Sequence, residues 1–234
     1  MAGVRVKWLG HAGFVVTGAG GKTVVVDPWL EGNPLARDRV EDLPPAVAVL
    51  VTHDHFDHAS DAARVVERTG ATLVGMPETV RRIKEASGLP DERVVFGGFG
   101  MNVGGTALIE GVAVTMTQAV HSSETGAPAG YVVRFEDGFT FYHAGDTGVF
   151  AGMELLGRLY PLDLALLPIG GVFTMDARQA AAATALLRPR RVIPMHFRTF
   201  PILAQDASEF AALVRKEAPG VEVVVLEPGR EVEV

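Results

Sequence analysis

The sequence predicts an α+β domain made of two mixed β-sheets with helices on their outer faces. Strand patterns are followed by helix patterns in both halves of the chain, which indicates strand–helix units. Between them lies a strong hairpin signal, since residues 131–135 and 139–142 are strand-like and flank Glu136, Asp137 and Gly138. Because antiparallel hairpins do not fit a doubly wound parallel sheet, two mixed sheets match this order of elements better.

The first half of the chain alternates apolar runs with turn residues. Five consecutive apolar residues at 47–51 indicate a strand buried on both faces, and Gly70 is typical of a position just past a helix. A polar, proline-bearing stretch at 30–45 predicts a long surface loop. We expect strands at 4–9, 23–26, 47–51 and 72–75, the first two joined through residues 18–21, a helix capped by Ser60 or Asp61 that ends at 68, and a helix at 78–87.

The second half begins with a glycine-broken segment and ends in regular alternation. Residues 94–117 predict a run of short strands interrupted by glycine pairs at 97–98 and 104–105. Apolar periodicity then separates helix patterns from strand patterns in the last third. We expect helices at 153–159, 177–187 and 208–216, and strands at 164–168, 192–195 and 221–226.

Composition favours one well-filled domain over residues 1–234. Hydrophobic residues make up 48% of the 234 and charged residues 21%, which is typical of a globular protein and excludes a disordered one. The net charge of −7 disfavours binding to nucleic acid or to an anionic membrane surface. We see no segment that could span a membrane and no signal-peptide layout, so we expect a cytoplasmic protein. The high share of hydrophobic residues also suits a contact between subunits of a homo-oligomer.

The sequence contains no cysteine, so any bound metal must be held by histidine, aspartate or glutamate. Three of the seven histidines fall within six residues, in the run from His53 to His58. Residues i and i+2 of an extended segment project to the same side, so His53 and His55 can face one ion. Asp57 and His58 follow as the chain turns into its helix. Together they offer more donors than one tetrahedral zinc takes, which favours two adjacent ions over one. So tight a cluster of imidazoles and carboxylates also argues against a metal-free role.

The pattern His-x-His-x-Asp-His after a buried strand resembles the metal motif of the metallo-β-lactamase fold superfamily. The later elements of that superfamily also follow in order, namely a histidine, an aspartate after a strand and a last histidine after a strand. In this chain they are His121, Asp146 and His196. The resemblance extends over residues 4–226. It implies a four-layer αββα sandwich, with the site between the strand edges of its two halves.

Four short segments are similar, more narrowly, to one branch of that superfamily. They are Gly10-His11-Ala12-Gly13, His143-Ala144-Gly145-Asp146-Thr147, Pro168-Ile169-Gly170-Gly171 and residues 195–201. The branch is described as metal-dependent hydrolases and is related to the ascorbate-6-phosphate lactonases. It brings with it no settled substrate.

The resemblance implies two neighbouring metal sites that share one carboxylate, and we expect one or two divalent ions per chain. Zinc is the default with imidazole ligands, while manganese or iron also suits this mixture of nitrogen and oxygen donors. Five neutral imidazoles and two carboxylates leave a charge of about +2 on two ions, which a hydroxide and an anionic substrate would neutralise. The implied ligands are His53, His55 and His121 for the first ion, Asp57, His58 and His196 for the second, and Asp146 as the bridge.

Further residues receive roles from their positions beside these ligands. Asp27 follows a strand and is predicted to accept a hydrogen bond from a ligand imidazole, with loop capping as the alternative. His11 and His143 are predicted to stabilise the oxyanion or protonate the leaving group, with packing as the alternative. Arg198 and Thr199 are predicted to bind the substrate. For Arg198 a surface ion pair is equally compatible with the sequence.

These residues predict a metal-dependent hydrolase that directs a metal-bound hydroxide at an ester, lactone or phosphodiester bond of a small substrate. Asp57 would orient the nucleophile or pass on its proton when it is not fully used as a ligand. Phe173, Phe197 and Phe200 are expected to pack internally, with an apolar substrate wall as the alternative.

Three other functions compete with this hypothesis. A β-lactamase is disfavoured because we see no secretion signal. An RNA-processing nuclease of the same fold is disfavoured by the acidic charge. A metal-binding sensor or scaffold without catalysis would need a closed site for one ion, whereas the predicted ligands form an open site for two.

Overall fold

The computed structural model describes residues 3–234, in which two β-sheets pack face to face. Trp8 and Phe14 of the first sheet and Tyr131 and Phe141 of the second are fully buried in the core between them. The strands are β1 (Arg5–Gly10), β2 (Gly13–Thr17), β3 (Thr23–Val26), β4 (Ala48–Leu50), β5 (Thr72–Val74), β6 (Thr106–Ile109), β7 (Val112–Gln118), β8 (Ala129–Arg134), β9 (Thr140–His143), β10 (Leu164–Pro168), β11 (Arg191–Met195), β12 (Glu222–Val223) and β13 (Glu231–Glu233).

Both sheets contain parallel and antiparallel pairs. The first has six strands in the order β13-β1-β2-β3-β4-β5, in which β3, β4 and β5 run parallel. The second has seven strands in the order β12-β11-β10-β9-β8-β7-β6, in which β9 to β12 run parallel. The predicted α+β class with two mixed sheets is therefore confirmed.

Helices cover the outer face of each sheet. Val49 of β4 and Val66 share one apolar cluster on the first sheet, whereas Ala180 and Phe210 belong to the core of the second. No helix within residues 3–234 is long and apolar enough to cross a membrane. The helices are α1 (Phe56–Ala59), α2 (Ala62–Thr69), α3 (Pro77–Ser87), α4 (Gly152–Leu159), α5 (Ala177–Leu187) and α6 (Ser208–Glu217), with short 3₁₀ turns at Val40–Asp42 and Asp91–Arg93.

The predicted elements agree closely with the structure over residues 140–217 and less well at several places outside that range. The predicted bounds of β3, β10 and α5 are reproduced without change. The sequence analysis missed β2 and β13, and β12 is shorter than the strand predicted at 221–226. Strands fill only the second part of the segment predicted at 94–117. The single domain over residues 1–234 stays a prediction, and Met1 and Ala2 lie outside the described residues.

The topology brings the carboxyl ends of several strands to one edge of the sandwich. β1, β3 and β4 share a direction in the first sheet, as do β7, β9, β10 and β11 in the second. The loops that follow these strands carry the residues predicted to belong to the site. The loop after β10 is the exception. The fold therefore collects, at one rim, side chains that are up to 188 positions apart, from His11 to Thr199.

Gly157 in α4 offers a test of the packing between helices. A Cβ placed there would lie 2.4 Å from the carbonyl oxygen of Leu187 and 2.8 Å from that of Leu186. In an exposed helix interior, alanine stabilises the helix by about 1 kcal/mol relative to glycine. Overpacking of this kind, however, costs roughly 1–3 kcal/mol of stability. We expect Gly157→Ala to lower the free energy of unfolding in urea.

Gly20→Ala is the matched control, because a Cβ at Gly20 would meet no atom within 4 Å. Its free energy of unfolding should stay within about 0.5 kcal/mol of the parent protein. A Gly157→Ala protein that is more stable than the parent would contradict the close approach of α4 to α5.

Candidate metal centre

The first group of candidate ligands comes from the loops after β4 and β7. β4 is fully buried, and the extended chain that leaves it points His53 and His55 to the same side. The Nε2 atom of His53 lies 2.9 Å from Nδ1 of His55. The ring of His121 lies 5.2 Å from that of His53 and 5.3 Å from that of His55. One ligand atom from each of the three histidines falls within 4.8 Å of the others.

A second group lies beside the first and contains four candidate ligands. His11, Asp57, His58 and His196 each offer one atom within 4.8 Å of the others. Three of them are the residues predicted for the second ion. His11 is an addition, and its Nε2 lies 3.1 Å from Oδ2 of Asp57.

Asp146 stands between the two groups. Its Oδ2 lies 3.0 Å from Nε2 of His196 and 3.6 Å from Nε2 of His121, and its Oδ1 lies 3.4 Å from Nε2 of His58. Burial raises the pKa of Asp146, but the imidazoles of His196 and His58 outweigh that effect and hold it well below its usual range. Asp146 is therefore an ionised carboxylate that faces ligands of both groups, which is the position required of a bridge.

The donor atoms suit a divalent cation. Nε2 of His58 and Oδ1 of Asp146 are buried and have no hydrogen-bond partner within residues 3–234, and such atoms are costly unless something pairs with them. Burial and the neighbouring His58 lower the pKa of His53 to about 3, so this imidazole is neutral at pH 7, as ligation requires. For His58, burial lowers the pKa, but Asp146 and Asp27 outweigh it and raise the pKa above its usual range. A cation held by Nε2 of His58 and by Asp146 would take the place of the proton on that nitrogen.

Asp27 organises the imidazoles from behind. Its Oδ2 accepts hydrogen bonds from Nδ1 of His58 at 2.8 Å and from Oγ1 of Thr52 at 2.6 Å. Its Oδ1 accepts one from the backbone N–H of Thr52 at 2.8 Å. The Thr52 hydroxyl in turn lies 3.0 Å from Nδ1 of His53, which can donate to it. With both Nδ1 atoms protonated, the Nε2 lone pairs of His53 and His58 point into the cluster.

Backbone strain accompanies this arrangement. His11, Asp27 and His196 have φ values of 54°, 45° and 58°, in the left-handed region that side chains rarely adopt. Such conformations cost of order 1–3 kcal/mol each and persist when the surroundings hold them. The backbone N–H of His196 donates to the carbonyl of His11 at 2.9 Å. A Cβ at Gly170 would lie 2.1 Å from the His196 carbonyl oxygen, so glycine is required there.

The sequence analysis gave no role to Asp54, which lies between two candidate ligands. Its side chain accepts hydrogen bonds from the Ser123 hydroxyl at 2.7 Å and from the backbone N–H groups of Glu124 and Thr125 at 2.8 and 3.1 Å. These bonds fix the loop that follows His121. The signal was available, because a residue between i and i+2 in an extended segment points to the opposite side.

The remaining predicted site residues differ in how they contact the centre. Nδ1 of His11 lies 2.8 Å from Oγ1 of Thr199, so Thr199 reaches the centre through His11. Nε2 of His143 donates to the Ala12 carbonyl at 2.9 Å, and its Nδ1 accepts from the Gly145 N–H at 3.1 Å. The backbone thus uses both nitrogens of this buried ring, and the catalytic role of His143 stays a prediction without a supporting contact.

Arg198 lies in a surface ion pair. Its guanidinium donates to Oε2 of Glu227 at 2.9 Å, and Arg198 is not among the residues that line the cavity beside the centre. The structure therefore favours the alternative stated for this residue, and substrate binding by Arg198 stays a prediction.

A large cavity opens onto the two ligand groups. Its volume is about 1030 Å³, at the upper end of the range for small-molecule sites. Five candidate ligands lie in its wall, namely His55, Asp57, His121, Asp146 and His196. A molecule that enters the cavity thus meets atoms of both groups.

Comparison with known proteins finds relatives over nearly the whole chain. The sequence profile of the β-lactamase superfamily domain matches residues 22–197. A UPF0173 metal-dependent hydrolase of Nitratidesulfovibrio vulgaris is 53% identical over 225 residues, 96% of this chain and 93% of that protein. Another, of Pyrobaculum islandicum, is 43% identical over 229 residues, 97% of this chain and 98% of that protein. The solved structure of a metallo-hydrolase from Ignicoccus hospitalis has a TM-score of 0.86 at 40% identity, covering 99% of this chain and 98% of that one.

The hydrogen bonds of Asp27 generate a prediction about metal affinity. In Asp27→Asn the side chain keeps one acceptor, but its amide presents donors to the groups that must donate to it. Loss of such an orienting partner typically weakens metal binding by about 10–100-fold. We expect that loss in a zinc titration against a chromophoric chelator.

Asp206→Asn is the matched control, because Asp206 is exposed and accepts hydrogen bonds only from Ser208 among the described residues. Its zinc affinity should equal that of the parent protein. Unchanged affinity in Asp27→Asn, in a protein that still unfolds cooperatively, would contradict the orienting role.

Proposed function

Since the chain belongs to the β-lactamase superfamily and is one of its metal-dependent hydrolases, we propose that it hydrolyses an ester, lactone or phosphodiester bond of a small substrate. This membership confirms the resemblance inferred from the motifs. The observation that carries the proposal is the opening of one cavity onto atoms of both ligand groups, with Asp146 between them. In a substrate bound there, the electrophilic atom would lie close to the attacking nucleophile.

We assign the seven predicted ligands to the metal centre in this proposal. His53, His55 and His121 would hold one ion, and Asp57, His58 and His196 the other, with Asp146 shared. Zinc is the ion to test first, because imidazoles dominate the set. When bound, a divalent ion lowers the pKa of water toward neutrality and polarises the bond under attack.

Asp57 would orient the attacking water, or accept its proton when the carboxylate is not fully used as a ligand. It lies in the cavity wall and is largely buried. Burial raises the pKa of Asp57, but the hydrogen bond from His11 and the charge of His58 outweigh it and hold the pKa below its usual range. The carboxylate is therefore ionised at pH 7 and can accept a hydrogen bond from the attacking water.

His11 would hold Asp57 in place. Burial and the neighbouring His196 lower the pKa of His11 to about 4, so the ring is neutral at pH 7 and carries one N–H. With that proton on Nε2, His11 donates to Asp57, and its Nδ1 accepts the hydroxyl hydrogen of Thr199. This chain of two hydrogen bonds gives both His11 and Thr199 a positioning role without contact to the substrate.

A non-catalytic sensor or scaffold is the competing proposal from a different class. Its metal would serve stability alone, so removal of a ligand would unfold the protein. The open cavity argues against it, since structural metal sites are usually closed by protein ligands. A cytoplasmic location and a homo-oligomeric state stay predictions.

His196→Ala tests the proposed function on a panel of lactones, simple esters and phosphodiesters. The change removes one candidate ligand that also contacts Asp146. We expect turnover of the accepted substrate class to fall by more than about 100-fold, because loss of an outer partner alone typically costs 10–100-fold. The circular dichroism spectrum should be unchanged.

Lys216→Ala, an exposed position near the end of α6, serves as the control and should keep full activity. Equal turnover by His196→Ala and the parent protein would contradict a catalytic centre at this position. Unfolding of His196→Ala would instead favour the structural role of a scaffold.

A further inference from the structure

Outside the candidate ligands, the wall of the cavity is mostly apolar. Phe56, Phe173 and Ile202 line it and are 63%, 56% and 61% exposed. They come from three separate parts of the chain, yet all of them face the same opening. Large apolar side chains that share one exposed concave surface are typical of a ligand-binding groove.

Part of this wall is rigidly held. The indole of Trp29 is almost fully buried and packs against Phe56 at 5.5 Å and against Phe200 at 6.0 Å between ring centroids. Phe200 also contacts the ring of His11 at 5.7 Å. The aromatic wall is thus continuous with the group of candidate ligands, and a chain lying on it would end at the metal centre.

The charges around the cavity disfavour an anionic substrate tail. Arg64 and Arg82 are the cationic side chains among the described residues that line it. Arg64 pairs with Glu31, and with Asp61 at 3.2 Å. Arg82 pairs with Asp54 at 3.0 Å. Since both guanidinium groups already have carboxylate partners, their charge is largely balanced before any substrate binds.

We propose that this apolar wall binds an uncharged alkyl chain of the substrate, so that the protein hydrolyses lactones or esters that carry such a chain. The inference rests on the proposed function and adds a substrate class to it. Water adds across the acyl C–O bond, so an ester gives a carboxylate, a proton and an alcohol, whereas a lactone opens to a single hydroxycarboxylate and a proton. Each methylene that the wall removes from water stabilises the complex by an amount equal to about a fourfold gain in binding.

A homologous series of lactones tests this directly. The substrates are γ-valerolactone, γ-caprolactone, γ-octalactone and γ-decalactone, which differ only in the length of the alkyl side chain. We expect kcat/KM to rise about fourfold per methylene until the cavity is filled. Bis(p-nitrophenyl) phosphate serves as the anionic comparison and should be a poor substrate.

The double variant Phe173→Ser/Ile202→Ser should flatten that series. Its kcat/KM for γ-decalactone should fall at least about tenfold, while that for γ-valerolactone stays within about twofold. Both side chains are exposed, so the fold should tolerate the change. Leu108→Ser is the matched control, because Leu108 is 74% exposed on β6 and does not line the cavity.

A binding experiment separates this inference from the proposed function. The protein as purified is titrated calorimetrically with n-butanol, n-hexanol and n-octanol, which cannot be hydrolysed. We expect the association constant to rise about fourfold per methylene in the parent protein and in Leu108→Ser, but not in the double variant.

The outcomes are distinct. If the parent protein turns over no lactone, ester or phosphodiester but binds the alcohols as expected, the proposed function fails and the apolar site stands. Activity that is independent of chain length, or confined to the phosphodiester, overturns this inference and leaves the proposed function intact. A double variant that changes from dimer to monomer on gel filtration, with unaltered alcohol binding, would show that a second copy of the chain covers the wall.

Discussion

The hydrogen bonds of one buried carboxylate, Asp27, determine how imidazole rings of the candidate metal centre are oriented. A buried carboxylate is costly unless donors surround it, and here Thr52 and His58 satisfy it. Because the same bonds favour a proton on Nδ1 of His58 and, through the Thr52 hydroxyl, on Nδ1 of His53, Nε2 is left for the candidate centre in both rings. The carboxylate behind the centre thus decides which nitrogen of each ring is available to a cation.

The fold supplies the rigidity that this arrangement needs. The strands β3, β4, β9 and β11, which lead into Asp27, the histidine motif, Asp146 and His196, are buried along nearly all of their length. Their apolar side chains stabilise the sandwich, and that stability can carry the strained backbone at the rim. The strain therefore lies where side chains must approach one another closely, while the strands beneath keep regular geometry. The buried strands thus provide stability, and the loops that follow them carry the candidate ligands.

The sequence predicted the fold class and the members of the cluster because both leave local signals. A buried strand followed by His-x-His-x-Asp-His is visible in the printed residues, and so are the later residues that complete the set. By contrast, β2 was missed because the turn before it places His11 in a left-handed conformation that is typical of glycine. The pairing of Arg198 with Glu227, the bonds of Asp54 to the loop after His121, and the apolar wall all join residues distant in sequence. The sequence could suggest an ion pair for Arg198, an outward direction for Asp54 and an apolar wall as alternatives, but the partners in each contact follow only from the assembled fold.

The central claim is that the buried cluster of imidazoles and carboxylates exists to hold divalent cations beside the cavity. The most direct test is the metal content of the protein after incubation with zinc and removal of free ions by gel filtration, measured by mass spectrometry of the elements. We expect one or two ions to be retained per chain, held by nitrogen and oxygen donors in the X-ray absorption spectrum. A folded protein that retains no ion with zinc, manganese or iron would contradict it.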